Sequence, residues 1–358
     1  MKLGKAGAAR RFPQLAGKAM LAIWLALGSY ACQASEAPPA RAPGESNDPG
    51  GQVRLYAVDR YEGVRQLDPH TLEVIATIES GPRPHGIVAS PDGRTLYITL
   101  EASNEVIQVE VASHRILARV KVGPVPNEPT LSLDGRYLFV PQRGGEQADV
   151  VDTRSMTVVK TLPTGNRGHN AYTSFDGKSV FVTSMGDDLI SEIDVASLEI
   201  KRQIPVGGVP RPLSLTKDGN LAYLALSGLI GFVTVDLGLG EVVHRLEQPI
   251  PAGTPAPPLD TYTHGLLLTP DQRELWVAAY ATDTVYAYLM PERQQLAAVP
   301  LPGGGPHWLT LHPDGEPLYV SLEKGGQVAA IHRGLREVIR RAPVGQAPTR
   351  ILAFRAPQ

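Results

Sequence analysis

Four of the nine histidines in this 358-residue chain follow similar Gly/Pro-rich stretches: His85 in "GPRPHG", His169 in "GNRGHN", His264 in "DTYTHG" and His307 in "GGGPHW". The same place in three further stretches holds Asn127 ("GPVPNE"), Arg211 ("GGVPRP") and Thr349 ("GQAPTR"). Imidazole titrates near neutrality, and its neutral form ligates copper, zinc or iron. Gathered at one point, His85, His169, His264 and His307 are candidate metal ligands. The arginines argue for a different occupant. Arg83, Arg167, Arg211 and Arg350 all lie in these stretches, with Glu128 as the nearest acid. Guanidinium holds carboxylate or phosphate in a forked geometry. So basic a site disfavours a bare cation and favours an anionic small molecule, since like charges at close range repel by several kcal/mol where the dielectric is low. Arg211 and Arg350 would steer such a ligand and Trp308 would wall it. The plain alternative is that the histidines fill a wet opening and bond to backbone carbonyls.

These residues can meet only if a repeating scaffold brings them together. Asp92, Asp134, Asp176 and Asp218 each precede Gly and are spaced by 42, and the series continues at Asp271 and Asp314. Tyr97, Phe139, Phe181, Tyr223, Trp276 and Tyr319 keep step with them, as do Asp68, Glu110, Asp152, Asp194 and Asp236 further on. Each unit reads as four short strands: "GIVAS", a "PDG" turn, "TLYITL", "EVIQVEV" and "RILARVKV". Val, Ile, Leu and Tyr dominate these runs, as half-buried strands require. Four strands in this length make one β-propeller blade. Residues 52–79 supply only three strands, and the final "APTRILAF" supplies the missing one. The expected fold is therefore all-β, a seven-bladed β-propeller over residues 52–358 whose first blade is closed by the C-terminal strand. The recurrent turn carboxylates are assigned to structure, because a site needs one constellation and not six copies. Between Asp218 and Asp271 the step lengthens to 53, and the extra residues lie in "PIPAGTPAPPLDTY", just ahead of His264. That segment is either a partial lid over the opening or a neutral surface insertion, and the sequence leaves both open.

"SPDGRTLYIT", "SLDGRYLFVP" and "SFDGKSVFVT", followed by "EIDVASLEI", resemble the YVTN-type repeats of bacterial and archaeal seven-bladed propellers. Relatives of that kind include surface-layer and lipoprotein scaffolds, lactonase-like enzymes, haem d1 proteins and the copper domain of nitrous-oxide reductase. The resemblance implies copper or another transition metal, or a haem-like macrocycle, as candidate cofactors. It also implies a lactonase reading, in which Glu128, Asn127 and Asn170 hold a metal and a histidine serves as general base. A binding protein, an enzyme and a protein–protein scaffold all remain open, since the fold does not choose among them.

The N-terminus reads as an address. Lys2, Lys5, Arg10, Arg11 and Lys18 precede the apolar run "AMLAIWLALG", too short to be a membrane anchor. Residues 1–31 are thus a signal peptide, and "SYAC" resembles a bacterial lipoprotein signal with Cys32, the only cysteine, as lipidation site. Cleavage after Ala31 or Ala34 by the ordinary peptidase is the alternative. Residues 32–51, rich in Pro and Ala, form a tether. The expectation is a periplasmic protein or membrane-anchored lipoprotein, monomeric, touching membrane only through its anchor. A net charge of -2 gives no case for nucleic acid.

Overall fold

The computed structural model describes residues 51–357; the leader 1–31, Cys32 and all of the tether but its last residue lie outside the described residues. Twenty-eight strands form seven four-stranded antiparallel sheets. Blade 1 joins the C-terminal strand Pro348–Ala356 to Gln52–Asp59, Gly63–Leu67 and Val74–Ile78. Blades 2 to 7 follow in order over 84–121, 130–162, 168–205, 210–248, 266–300 and 306–343. The closure read from the sequence is therefore present: Pro348–Ala356 pairs with Gln52–Asp59 along its length. No sheet edge is left at the seam between the chain's ends.

The alternation of the strands explains where the core sits. Buried apolar residues fall into seven clusters, one between each pair of neighbouring blades. Tyr97, Phe139, Phe181, Tyr223, Trp276 and Tyr319, the aromatics in 42-residue step, are all buried in these seams. The turn carboxylates do structural work, as expected. Asp92, Asp134, Asp176, Asp218 and Asp271 each accept the backbone N–H two residues on and the hydroxyl of the Ser or Thr two residues before. The later series behaves alike, Asp152 and Asp194 each capping two backbone N–H groups.

In five of the seven blades the innermost strand begins with an irregularity. Register shifts between Pro84 and Ile87, Gly168 and Ala171, Pro210 and Leu213, and Pro306 and Trp308. Blade 1 skips Thr349 in the same way. An extra residue in one strand leaves its side chain free to be re-aimed and its backbone unpaired. The residues in these bulges are His85, His169, Arg211, His307 and Thr349.

Candidate functional site

Each of these five bulges turns one side chain toward the channel, and in blades 2, 4 and 7 it leaves an N–H behind that side chain out of the ladder. A hydroxyl on the adjacent strand accepts that N–H. Gly86 donates to Thr99 at 2.8 Å, Asn170 to Thr183 at 3.1 Å and Trp308 to Ser321 at 3.0 Å. In blade 5 the residue after Arg211 is Pro212, which has no N–H, and Ala225 stands where the hydroxyl would be. The Thr or Ser of "YIT", "FVT" and "YVS" thus supports the circle of channel residues. Gly86 and Gly265 serve the same circle by letting blades approach. A Cβ on Gly86 would lie 2.7 Å from the Asn127 oxygen, and one on Gly265 2.9 Å from that of His307.

The four histidines, Asn127, Arg211 and Thr349 are all buried and form an inner circle at one channel mouth. His264 and His307 stack with ring centroids 3.7 Å apart, and His169 meets His264 edge-on at 5.6 Å. The Nδ1 of His264 lies 3.1 Å from the His307 oxygen and that of His307 lies 2.7 Å from the Thr349 oxygen. A carbonyl can only accept, so both rings carry the proton on Nδ1 and leave Nε2 as an acceptor. These two histidines do bond to backbone carbonyls, as the plain reading supposed. The Nδ1 atoms of His85 and His169 are buried without a partner. Burial holds all four rings well below the usual histidine range, and Arg350 reinforces the shift at each of them. All four are neutral at pH 7.

A second circle lies on the rim side of the first, and the sequence reading missed it. Arg60, Glu101, Arg143, Met185, Ser227 and Glu323 each donate their backbone N–H to the residue two before an inner-circle position. The signal was available: Glu101, Arg143, Met185, Ser227, Tyr280 and Glu323 each stand sixteen residues after an inner-circle residue. Glu101 accepts from Arg143 at 2.7 Å and Arg83 at 3.2 Å, and its Oε1 lies 3.7 Å from His85 Nε2. Glu323 repeats the arrangement in blade 7, 3.5 Å from Arg60 and 3.7 Å from His307 Nε2. Arg211 donates to Ser227 at 2.8 Å and reaches Met185 Sδ at 3.4 Å. Burial pulls its guanidinium down to about 10.

The two circles enclose a cavity of about 180 Å³. The four histidines line it together with Arg60, Arg143 and Arg211, and Glu323 is the one lining carboxylate among the described residues. Pro258 and Thr261 close it from one side. Both belong to the inserted segment ahead of His264, which a short 3-10 turn, Pro258–Asp260, and a 2.7 Å bond from Gly228 to the Asp260 oxygen hold in place. The insertion therefore does lean over the mouth.

The remaining sequence-derived candidates form the layer beneath and do not line the cavity. Arg350 is fully buried, donates to Glu128 Oε2 at 2.6 Å and stacks over Trp308 at 4.2 Å. Asn170 is buried and bridges to Glu128, and Asn127, although part of the inner circle, does not line the cavity. Arg83 sits at the rim on Glu101, and Arg167 is not part of the cavity wall.

The implied cofactors do not fit this geometry. No three or more His, Cys, Asp or Glu side chains among the described residues form a group able to hold a metal ion. The Glu128 carboxylate is taken up by Arg350, which leaves no cluster of anionic oxygens for a hard cation. A cavity of about 180 Å³ is smaller than the roughly 300–1,000 Å³ of common ligand pockets and does not accommodate a haem-like macrocycle.

Seven closed blades around a polar channel define a β-propeller with its site at one mouth. The chain belongs to the YNCE-like beta-propeller family, which matches residues 53–249. No curated protein matches it. Among solved structures it is similar to a putative 6-phosphogluconolactonase from Bacteroides fragilis, at 17% identity and TM-score 0.72, covering 87% of this chain and 99% of that one. The Pseudomonas aeruginosa periplasmic gluconolactonase PpgL is 21% identical with TM-score 0.69, covering 86% and 100%. The dihydro-heme d1 dehydrogenase NirN is 18% identical with TM-score 0.63, covering 85% and 66%. At these identities the likeness is one of fold.

Proposed function

We propose that the protein binds a small carboxylate in the cavity at the histidine-lined mouth. The observation that carries this reading is the convergence of Arg60, Arg143 and Arg211 on one enclosed space. Among the described residues that line the cavity, three guanidinium groups stand against one carboxylate, Glu323, so the lining itself is positive. The histidines, being neutral, add hydrogen bonds and no charge. His264 and His307 accept through Nε2, which suits a ligand carrying hydroxyl groups beside its carboxylate. A cavity of about 180 Å³ equals some six water volumes at about 30 Å³ each, the size of a small metabolite. The two lactonase neighbours, by their names, handle lactones of sugar acids, which is consistent with such a ligand.

The protein is further proposed to be exported and anchored through Cys32, on the strength of the basic segment, the apolar run and the lone cysteine before the tether. Titration calorimetry with acetate, glycerate and gluconate tests the binding reading. Saturable uptake, weakened at least tenfold by Arg211→Gln, is expected. Equal binding by wild type and variant, or binding of copper or zinc with no response to any carboxylate, contradicts it. Gluconolactone assayed alongside separates a binding protein from a hydrolase.

A further inference from the structure

The opposite opening of the channel has a contrasting chemistry. Every inner strand runs from the histidine circle to this end, where a cavity of about 590 Å³ is walled by Val88, Leu131, Leu133, Phe175, Leu215 and Leu268 among others. Its hydroxyls are already engaged: Thr130 with Thr173 at 3.1 Å, Thr173 with the Leu131 oxygen at 2.6 Å, and Ser214 with the Leu266 oxygen at 3.2 Å. What this opening offers is apolar surface. Leu133 and Phe175 extend it outward from the tips of consecutive hairpins, 55% and 54% exposed. The tips abut, since a Cβ on Gly177 would lie 2.8 Å from Leu133. Exposed apolar patches of this kind mark contacts with a protein partner, a membrane or an apolar ligand. Around them Arg94, Arg136 and Lys178 alternate with Asp92, Asp134 and Asp176, so the rim carries no strong field of either sign.

The path of the chain indicates what lies against this face. Gln52 pairs with Ala356, at the end of the last inner strand remote from Thr349. Gln52, the first residue of the propeller's first strand, thus lies at the apolar opening. The nineteen residues from 33 to 51 span at most about 65 Å when extended at 3.4 Å each. A propeller anchored at Cys32 would therefore stay within about 65 Å of the bilayer, tethered from the side of its apolar opening.

We propose that this apolar opening docks on a lipid bilayer, with Leu133 and Phe175 entering the interface and the cavity behind them receiving acyl-chain carbon. The carboxylate cavity then faces away from the membrane. This orientation rests on the anchoring at Cys32 proposed above; the apolar surface itself does not, and mass spectrometry of the Cys32 peptide reports the anchor separately. Amphipathic surfaces bind membranes in proportion to the apolar area they bury.

The test uses the full chain bound to vesicles of phosphatidylethanolamine and phosphatidylglycerol, 3:1, with brominated acyl chains. Phe175→Trp places a fluorophore at the apolar opening, and Tyr61→Trp places one on the cavity face, where Tyr61 is exposed. Bromine is expected to quench the added emission of Phe175→Trp several-fold and to leave that of Tyr61→Trp unchanged. Adding Leu133→Ser should reduce the quenching of Phe175→Trp. Absence of vesicle binding, absence of quenching, or equal quenching at both sites overturns the proposal. So does a dimer in sedimentation that depends on Leu133 and Phe175 in the absence of lipid, which would assign the surface to a second copy of the chain.

Discussion

Among single residues, the arginines and histidines of the cavity divide the work between charge and shape. Arg211 is buried but still charged at neutral pH, since burial brings it down only to about 10. A charge-assisted hydrogen bond contributes roughly 1.5–3 kcal/mol. Carboxylate affinity should therefore hold steady from pH 7 to 9, because the guanidinium keeps its proton throughout; calorimetry across that range reads it. The histidines report through stability. Their folded pKa values lie well below 6.5 because burial, assisted by Arg350, opposes their charge. The unfolded chain thus binds more protons as pH falls below 6.5, and stability is lost on the acid side. Each such histidine contributes a slope approaching about 1.4 kcal/mol per pH unit. Thermal midpoints should fall between pH 7 and 5, and His169→Gln should fall less steeply than wild type. Glu128 and Arg350 form a buried pair, so Glu128→Leu alone should cost about 3–5 kcal/mol, with much of that recovered by adding Arg350→Met. The inner circle was legible because its residue types change from blade to blade against a constant background. Glu101, Arg143, Tyr280 and Glu323 obey the same spacing, but they stand at the end of the second strand, where attention to the innermost strand alone did not reach.

At the scale of the strand, the bulge is the device that makes the site. It could not be read from the sequence, because alternation of Val, Ile and Leu looks the same with or without one extra residue. Its consequence was visible, though, in the Thr and Ser of "YIT", "FVT" and "YVS", whose hydroxyls receive the freed N–H groups. Thr183→Val leaves the buried Asn170 N–H unsatisfied and should cost about 1–3 kcal/mol in chemical unfolding. Ala225 has no such duty beside Pro212, so Ala225→Ser should bring no comparable gain. Gly86→Ala would force the inner strands of blades 2 and 3 apart, since the new methyl meets Asn127, Glu128 and Pro129. A loss of about 1–3 kcal/mol is expected from such overpacking. Length and position left the inserted segment open between a lid and a neutral insertion, because the 3-10 turn that seats Pro258 and Thr261 on the cavity carries no period that could announce it.

For the molecule as a whole, closure is what gathers far-apart residues around one axis. The 42-residue register made the blade count and the composite first blade readable, because each blade repeats the same apolar seam with its neighbour. Removing residues 348–358 deletes the inner strand of blade 1, with Thr349 and Arg350, and exposes sheet edges on both sides of the gap. That truncation should abolish cooperative unfolding and lead to aggregation, as read by calorimetric scanning and light scattering. The two ends of the channel are unlike in a way no single repeat reveals: one is polar and lined by arginine, the other apolar. The most direct check on the polar end is an anomalous-scattering map of crystals soaked in 5-bromo-2-furoate, a small carboxylate whose ring-bound bromine is not displaced by histidine. The account predicts one dominant bromine peak inside the histidine-lined cavity, with its carboxylate on Arg60, Arg143 or Arg211. A map with that cavity filled only by solvent, or with the bromine bound elsewhere on the propeller, would contradict it.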